Sequence, residues 1–237
     1  MAKFHPLLII TGDNDYYIRE WHEVAIIGIG FDLSRDQAAL SNKKWFPQSK
    51  GGEFKRWYGN IGSIVNWENE GFELQSRKHV SGRILAHNFN LDKIFRFGIT
   101  WTAISSGKFS ARYQPKGFLF SNASSAAFPV IATFEQLLAL LNSNLSTNFL
   151  NAMNPTLNYL PGNIASIPVL PTIFDNNSIE SNTSNLICIS KINWDSYETS
   201  WDFTSLPLLD ASYRGDTLAS TYSNLRAHWN EMTLEMQ

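Results

Sequence analysis

Two segments of this chain combine the residue types that bind phosphate. The first, residues 43–69 (KKWFPQSKGGEFKRWYGNIGSIVNWEN), interleaves cations with aromatics and sets Gly51 and Gly52 directly after Lys50. Adjacent glycines let a backbone approach a phosphate closely, with their N–H groups aimed at it beside Lys50, Lys55 and Arg56. The same pair also reads as a plain turn between charged residues. The second segment, residues 99–113 (ITWTAISSGKFSARY), sets Ser105, Ser106, Gly107 and Lys108 in a loop between two strand-like runs. Hydroxyls, a glycine and a lysine suit phosphate or base-edge contacts, and Arg112 lies two strand positions beyond Ser110 on the same face. A β-hairpin with a polar turn accounts for the same residues.

Charge separates these segments from the rest of the chain. The formal net charge is −2, yet residues 1–116 hold 16 Lys/Arg against 11 Asp/Glu, and residues 117–237 hold 3 against 10. Within residues 43–116 the ratio is 13 to 5, and residues 93–116 contain no acid. This stretch is the electrostatic candidate for nucleic acid, with a solvated face of scattered lysines as the alternative.

Other chemistries find little support. None of the five histidines, His5, His22, His79, His87 and His228, pairs with another His or Cys at metal-ligand spacing, and no Gly-x-Ser-x-Gly elbow is present. No nucleophile, base and orienting group can be assembled, which argues against a hydrolase. Asp13 and Asp15 lack the glycine and distant glutamate of a calcium loop and read as a turn. Cys188, the only cysteine, is expected buried in a short strand. At 43% apolar and 14% aromatic residues the 237-residue chain can bury a core. Its apolar runs at 7–10 and 24–29 fall far short of the roughly 20 residues of a membrane helix. A soluble, cytoplasmic protein with no membrane partner is expected.

The elements that must position these residues form an α+β outline. Short β-type runs at 26–31, 62–67, 98–101, 109–113 and 117–120, separated by turn signals, imply a mixed or antiparallel sheet. From Thr133 the texture changes: Thr-Phe-Glu-Gln offers an N-cap and capping box. Leu137, Leu138, Leu141, Leu145, Phe149 and Met153 then follow at helical spacing, predicting one amphipathic helix that ends near residues 154–155. Residues 175–185 (DNNSIESNTSN) read as a polar loop, residues 186–190 as a short strand, and residues from about Leu218 as a final helix. Residues 1–130 are thus the mainly β, basic part and residues 131–237 a helical, acidic part completing the same domain. Both ends read as cuts, because an apolar run follows the first residues without a cap and the helical period persists to the last residue.

Seven blocks, in order, resemble one family. They are TGDNDYYIREWHEV (11–24), WFPQSKGGEFKRWYGN (45–60), VNWENEG (65–71), GITWTAISSGKFSARYQPKGFLF (98–120), LLALLNS (137–143), NPTLNYLPGNIASIPV (154–169) and WDSYETSWDF (194–203). Together they are similar to the C-terminal specificity region of the large adenine methyltransferases of bacterial phage-exclusion (BREX) systems, called PglX, and to related single-chain restriction-modification enzymes. The resemblance implies a target-recognition-domain type of fold that reads double-stranded DNA, with a catalytic N-terminal methyltransferase domain of the same protein, and other phage-defence components, as partners. In that family S-adenosylmethionine and the Asn/Asp-Pro-Pro-Tyr/Phe motif belong to the catalytic half. Asn154-Pro155-Thr156-Leu157 lacks the second proline and the aromatic, so no catalytic or cofactor residue is expected in this segment. The competing class is an aromatic-rich carbohydrate- or protein-binding module, since 8 Trp and 8 Tyr could also furnish stacking platforms.

Overall fold

Among the described residues, runs of β-branched and aromatic residues broken by glycine and asparagine turns build eight short strands, and the leucine- and serine-rich remainder builds helices. The computed structural model describes residues 3–5, 10–86, 90–105, 107–129, 134–153, 156–175 and 177–236, with the backbone alone at residues 3–5 and Asn177. The strands are β1 (Lys3–His5), β2 (Ile18–Glu20), β3 (Trp45–Ser49), β4 (Ser63–Asn66), β5 (Gly98–Thr102), β6 (Ala111–Gln114), β7 (Leu119–Phe120) and β8 (Ser124–Phe128). The helices are α1 (Asn14–Tyr17), α2 (Arg35–Leu40), α3 (Glu68–Ser76), α4 (Phe134–Asn142), α5 (Asn144–Met153), α6 (Pro161–Ala165), α7 (Asn177–Asp195) and α8 (Leu218–Glu235).

The strands form two four-stranded sheets, in the orders β1-β8-β5-β6 and β2-β4-β3-β7. All pairings are antiparallel except β3 with β7. Strand alternation sends the two faces of the first sheet into different cores. Ile99, Trp101, Ala111 and Ala127 join Leu137, Leu138, Leu141 and Leu150 in a helix-covered core. Ala126 and Phe128 turn the other way, to Phe46, Val65, Trp67 and Phe120 of the second sheet and its helices. The architecture is therefore α+β, with the first sheet as the middle layer.

Where the sheets meet at the β5–β6 end, the interior is polar. Ser49, at the end of β3, shares a buried hydrogen bond with the Thr100 hydroxyl at 3.0 Å. Its carbonyl accepts from the Ser124 hydroxyl at 2.7 Å and from the Ser121 N–H at 3.1 Å. Thr100 in turn donates to the Ser125 carbonyl at 3.0 Å. Small hydroxyl side chains let the two sheets approach while satisfying backbone groups that would otherwise be buried alone.

Several sequence expectations are corrected here. Residues 26–31 are no strand: Ile26–Gly28 is a 3-10 turn, and Ile26 and Ile27 are exposed. Among the described residues the apolar run has no partner strand beyond one bridge from Ile29 to Trp45. The helix expected from Thr133 is two helices, because the Ser143 hydroxyl donates back to the Leu140 carbonyl at 2.6 Å and accepts from the Ser146 N–H at 3.2 Å, capping α5. This break shifts the phase, so Leu145 and Met153 are exposed while Leu150 is buried. Most of the polar stretch 175–185 and the run 186–190 lie in α7, and Cys188 is exposed. A five-residue apolar run fits helix and strand alike, and packing of α7 on α4 decides for helix. Thr133, residues 154–155 and Ser106 lie outside the described residues. No helix among the described residues is long and apolar enough to cross a membrane.

Leu141 is 1% exposed in the helix-covered core. Leu141→Ala is expected to cost about 2–5 kcal/mol in denaturant unfolding. A variant that unfolds like the parent would place α4 outside the cooperative core.

Candidate nucleic-acid interface

Leaving β3, the chain passes Lys50 and turns at Gly51 and Gly52, which adopt φ +79° and +143°. A Cβ on Gly51 would meet the Ala123 carbonyl oxygen at 2.7 Å, and one on Gly52 the Asn60 side chain at 2.8 Å. The glycines are thus required by the turn itself. Asn60 closes the loop by donating to the Glu53 carbonyl at 2.8 Å.

The returning chain then lies along β6. The Trp57 N–H donates to the Ala111 carbonyl at 3.0 Å and the Tyr113 N–H to the Trp57 carbonyl at 2.7 Å. On the same edge Asn142 clasps both backbone groups of Ala111, accepting at 2.9 Å and donating at 3.0 Å. The Thr102 hydroxyl donates to the Gly52 carbonyl at 3.0 Å. The two basic blocks, residues 43–69 and 99–113, are therefore one structural unit.

Between them runs a shallow groove lined by Gly52, Glu53, Phe54, Thr102, Ser105 and Lys108. Its second wall is held by burial of Phe109, which packs on Trp101 and Tyr159. Tyr159 also donates to the Gly107 carbonyl at 3.2 Å, and the Ser105 hydroxyl accepts from the Gly107 N–H at 3.1 Å. Lys55 and Lys108 are exposed and form no ion pair among the described residues. Arg56 stacks over the exposed Phe54 ring at 5.5 Å. Lys50 lies apart: it pairs with Glu20 at 3.5 Å and lines a separate cavity of about 290 Å³ with Trp21, His22 and Trp194.

Arg112 corrects the sequence reading. Expected on the surface with Lys108, it is 1% exposed, and Ser110 is buried too. Its guanidinium donates to the Lys55 carbonyl at 3.5 Å and to the Thr102 hydroxyl at 3.3 Å. No carboxylate accompanies it among the described residues, and Nε and both amide atoms of neighbouring Gln114 lack partners there. Burial without a counter-charge lowers its pKa to about 10. Arg112 thus braces the groove from behind, tying the first loop to β5. Thr102 and Asn60 brace the first loop and Asn142 braces β6, and nothing local in the sequence distinguishes such polar residues from ordinary turn or strand positions.

The acidic runs are structural. Asp13 caps α1 by accepting from the Tyr16 N–H at 3.1 Å and pairs with Arg77 at 3.0 Å. Asp202 and Asp195 both hold Lys191, at 2.8 and 2.6 Å.

Set against known proteins, no family model matches the chain. It is 42% identical over 201 residues, 84% of its length, to the adenine-specific methyltransferase PglX of Lacticaseibacillus casei (strain Zhang). It is 35% identical over 232 residues, 96% of its length, to the adenine-specific methyltransferase BrxX of Escherichia coli O9:H4 (strain HS). The chain is homologous to part of PglX and BrxX. It covers 16% and 18% of their lengths. Among solved structures, the type IIL restriction-modification enzyme MmeI in complex with DNA aligns over 98% of this chain and 36% of its own, with 12% identity and a TM-score of 0.42. That TM-score is too low to establish a shared fold.

Burial without a counter-charge disfavours the charged form of Arg112, so the guanidinium is expected to cost stability where it sits. Arg112→Met, which fills the site without charge, is expected to melt at or above the parent temperature, whereas Arg112→Ala leaves a cavity and melts lower. If the Met variant is the less stable of the two, the buried guanidinium contributes net stability and the brace is stronger than its long hydrogen bonds suggest.

Proposed function

We propose that this chain recognises and positions double-stranded DNA for an adenine-N6 methyltransferase, as the target-recognition part of a longer PglX/BrxX-type protein. The observation that carries the proposal is the union of two basic blocks, separated in sequence, into one groove lined by Gly52, Glu53, Phe54, Ser105 and Lys108. Homology to two adenine-specific methyltransferases across most of the chain supports the same reading. In this reading Lys50, Lys55 and Lys108 neutralise phosphates, Gly51, Gly52, Ser105, Ser106 and Gly107 shape the contact surface, and Arg56 reaches toward a base edge. Arg112 acts only through the loops it holds. Residues 1–130 carry the DNA face and residues 131–237 support it.

A glycan platform is not favoured, because none of the eight tryptophans is exposed and Trp57, Trp67 and Trp101 are buried. Methyl transfer from S-adenosylmethionine is assigned to the remainder of the parent protein, which would be a bacterial defence enzyme. The 237-residue chain alone is accordingly expected to show no saturable heat on titration with micromolar S-adenosylmethionine; saturable binding would move the catalytic boundary into this chain.

The DNA reading is tested in the full-length methyltransferase with cognate and scrambled duplexes. Lys55→Ala and Lys108→Ala should each weaken both duplexes equally and make the log–log salt slope shallower by about 1. Arg56→Ala should instead cost about 1–3 kcal/mol on the cognate duplex and relax preference at one base pair. Unchanged binding and methylation in all three would place the DNA on another face.

A further inference from the structure

Residues 74–91 contain no acid, and the structure folds their middle into a protruding two-stranded ribbon. Lys78 bridges Ile84 in antiparallel register. The His79 N–H donates to the Arg83 carbonyl at 2.8 Å and the Leu85 N–H to the Arg77 carbonyl at 3.0 Å. The turn is closed by the Gly82 N–H donating to the His79 carbonyl at 2.8 Å, with Gly82 at φ +81°. This is the three-residue hairpin loop in which a left-handed residue follows the turn. A Cβ on Gly82 would meet nothing within 4 Å, so its backbone angle alone calls for glycine. The His79 ring adds a local brace, its Nδ1 accepting from the Ser81 N–H at 3.2 Å.

The ribbon is rigid at its root and bare at its tip. Arg77 pairs with Asp13 at 3.0 Å and lies over the rings of Tyr16 and Tyr17, each at 5.6 Å. Tyr17 is fully buried. Every residue from Lys78 to Ile84 is exposed, and Val80 at the tip is 99% exposed. Lys78 and Arg83 form no ion pair among the described residues. Paired residues on a ribbon share a face, so Lys78 and Ile84 occupy one face and His79 and Arg83 the other. Each face thus carries one cation, and the apolar tip lies between them. The root also adjoins the first loop: α1, which Asp13 caps, supplies Asn14 and Asp15 to the open cavity that Lys50 lines.

We propose that residues 77–85 enter the major groove of duplex DNA, with Lys78 and Arg83 each facing one phosphate wall and Val80 against the base edges. The inference rests on the DNA-recognition reading above and names an element outside the groove already described. A two-stranded ribbon fits the major groove, about 12 Å wide, and two opposed cations match its two charged walls. A fully exposed valine gains burial only when something covers it, and the methyl-bearing floor of that groove is apolar in places.

The test uses the 237-residue chain and a fluorescent mixed-sequence duplex at low salt. Lys78→Ala combined with Arg83→Ala should weaken binding about tenfold or more and make the salt slope shallower by about 2. Val80→Asp should weaken binding while leaving the melting temperature unchanged, since the residue touches nothing in the folded chain. Methyl green, which occupies the major groove, should compete, and distamycin, which occupies the minor groove, should not. If Lys55→Ala with Lys108→Ala weakens binding and the ribbon variants do not, the ribbon proposal falls and the DNA reading stands. If the unaltered chain binds no duplex at low salt, both fall. Competition by distamycin alone overturns the groove assignment.

Discussion

Ser49 is the point through which the two sheets are joined. Its carbonyl is the last acceptor of β3, and both of its bonds come from the segment at residues 121–124, while its hydroxyl meets Thr100 of β5. A larger or apolar residue there would separate the sheets or leave buried backbone groups without partners. The chain must leave this crowded junction at once, and only glycine at position 51 can turn beneath the Ala123 carbonyl. The location of the first basic loop is therefore a consequence of sheet packing, and so is its meeting with the second.

The same junction explains why the interior behind the groove breaks the ordinary rules for a core. Arg112 and Gln114 lie on the seam face of β6 with partnerless polar atoms among the described residues, whereas the opposite face carries Ala111 and Tyr113 against the helices. A lone buried cation destabilises a fold unless something else requires it. Here it reaches across to the carbonyl of Lys55 and the hydroxyl of Thr102, the groups that set the spacing of the groove walls. Local violations of this kind are expected where position matters more than stability.

How much of this was legible follows from how local each signal is. Runs 62–67, 98–101, 109–113 and 117–120 became strands β4 to β7, and the final helix begins at Leu218 as its period suggested. Each of these carries its own alternation or cap, such as Thr217, whose hydroxyl accepts from the Ser220 N–H at 3.1 Å. The misreadings share a different cause. Residues 26–31 and 186–190 are apolar enough for strands, but only tertiary contacts decide whether a partner strand exists. Ser143 breaks a leucine stripe that looks continuous, because serine is tolerated inside helices and also caps them. The burial of Arg112 has no local signal, because it depends on the seam formed by strands from both sheets.

The structure also narrows the electrostatic argument that the sequence opened. Of the 13 cations in residues 43–116, Lys44, Lys50, Arg77 and Lys93 are held by Glu68, Glu20, Asp13 and Asp92. Arg35, outside that window, is held likewise by Glu70. Arg112 is buried, Arg96 lies over the Phe128 ring, and Lys43 donates to the Ile27 carbonyl. Seven of the thirteen cations are thus engaged within the fold. Among the described residues, Lys55 and Lys108 in the two basic loops, Lys78 and Arg83 on the ribbon, and Lys116 after β6 stay exposed without an ion pair, while Arg56 lies over the Phe54 ring. Surface ion pairs exchange readily with phosphate, so Lys50 can still join them, but at the expense of Glu20. A few well-placed cations, rather than a broad basic surface, suit the proposed role of setting the register of a duplex.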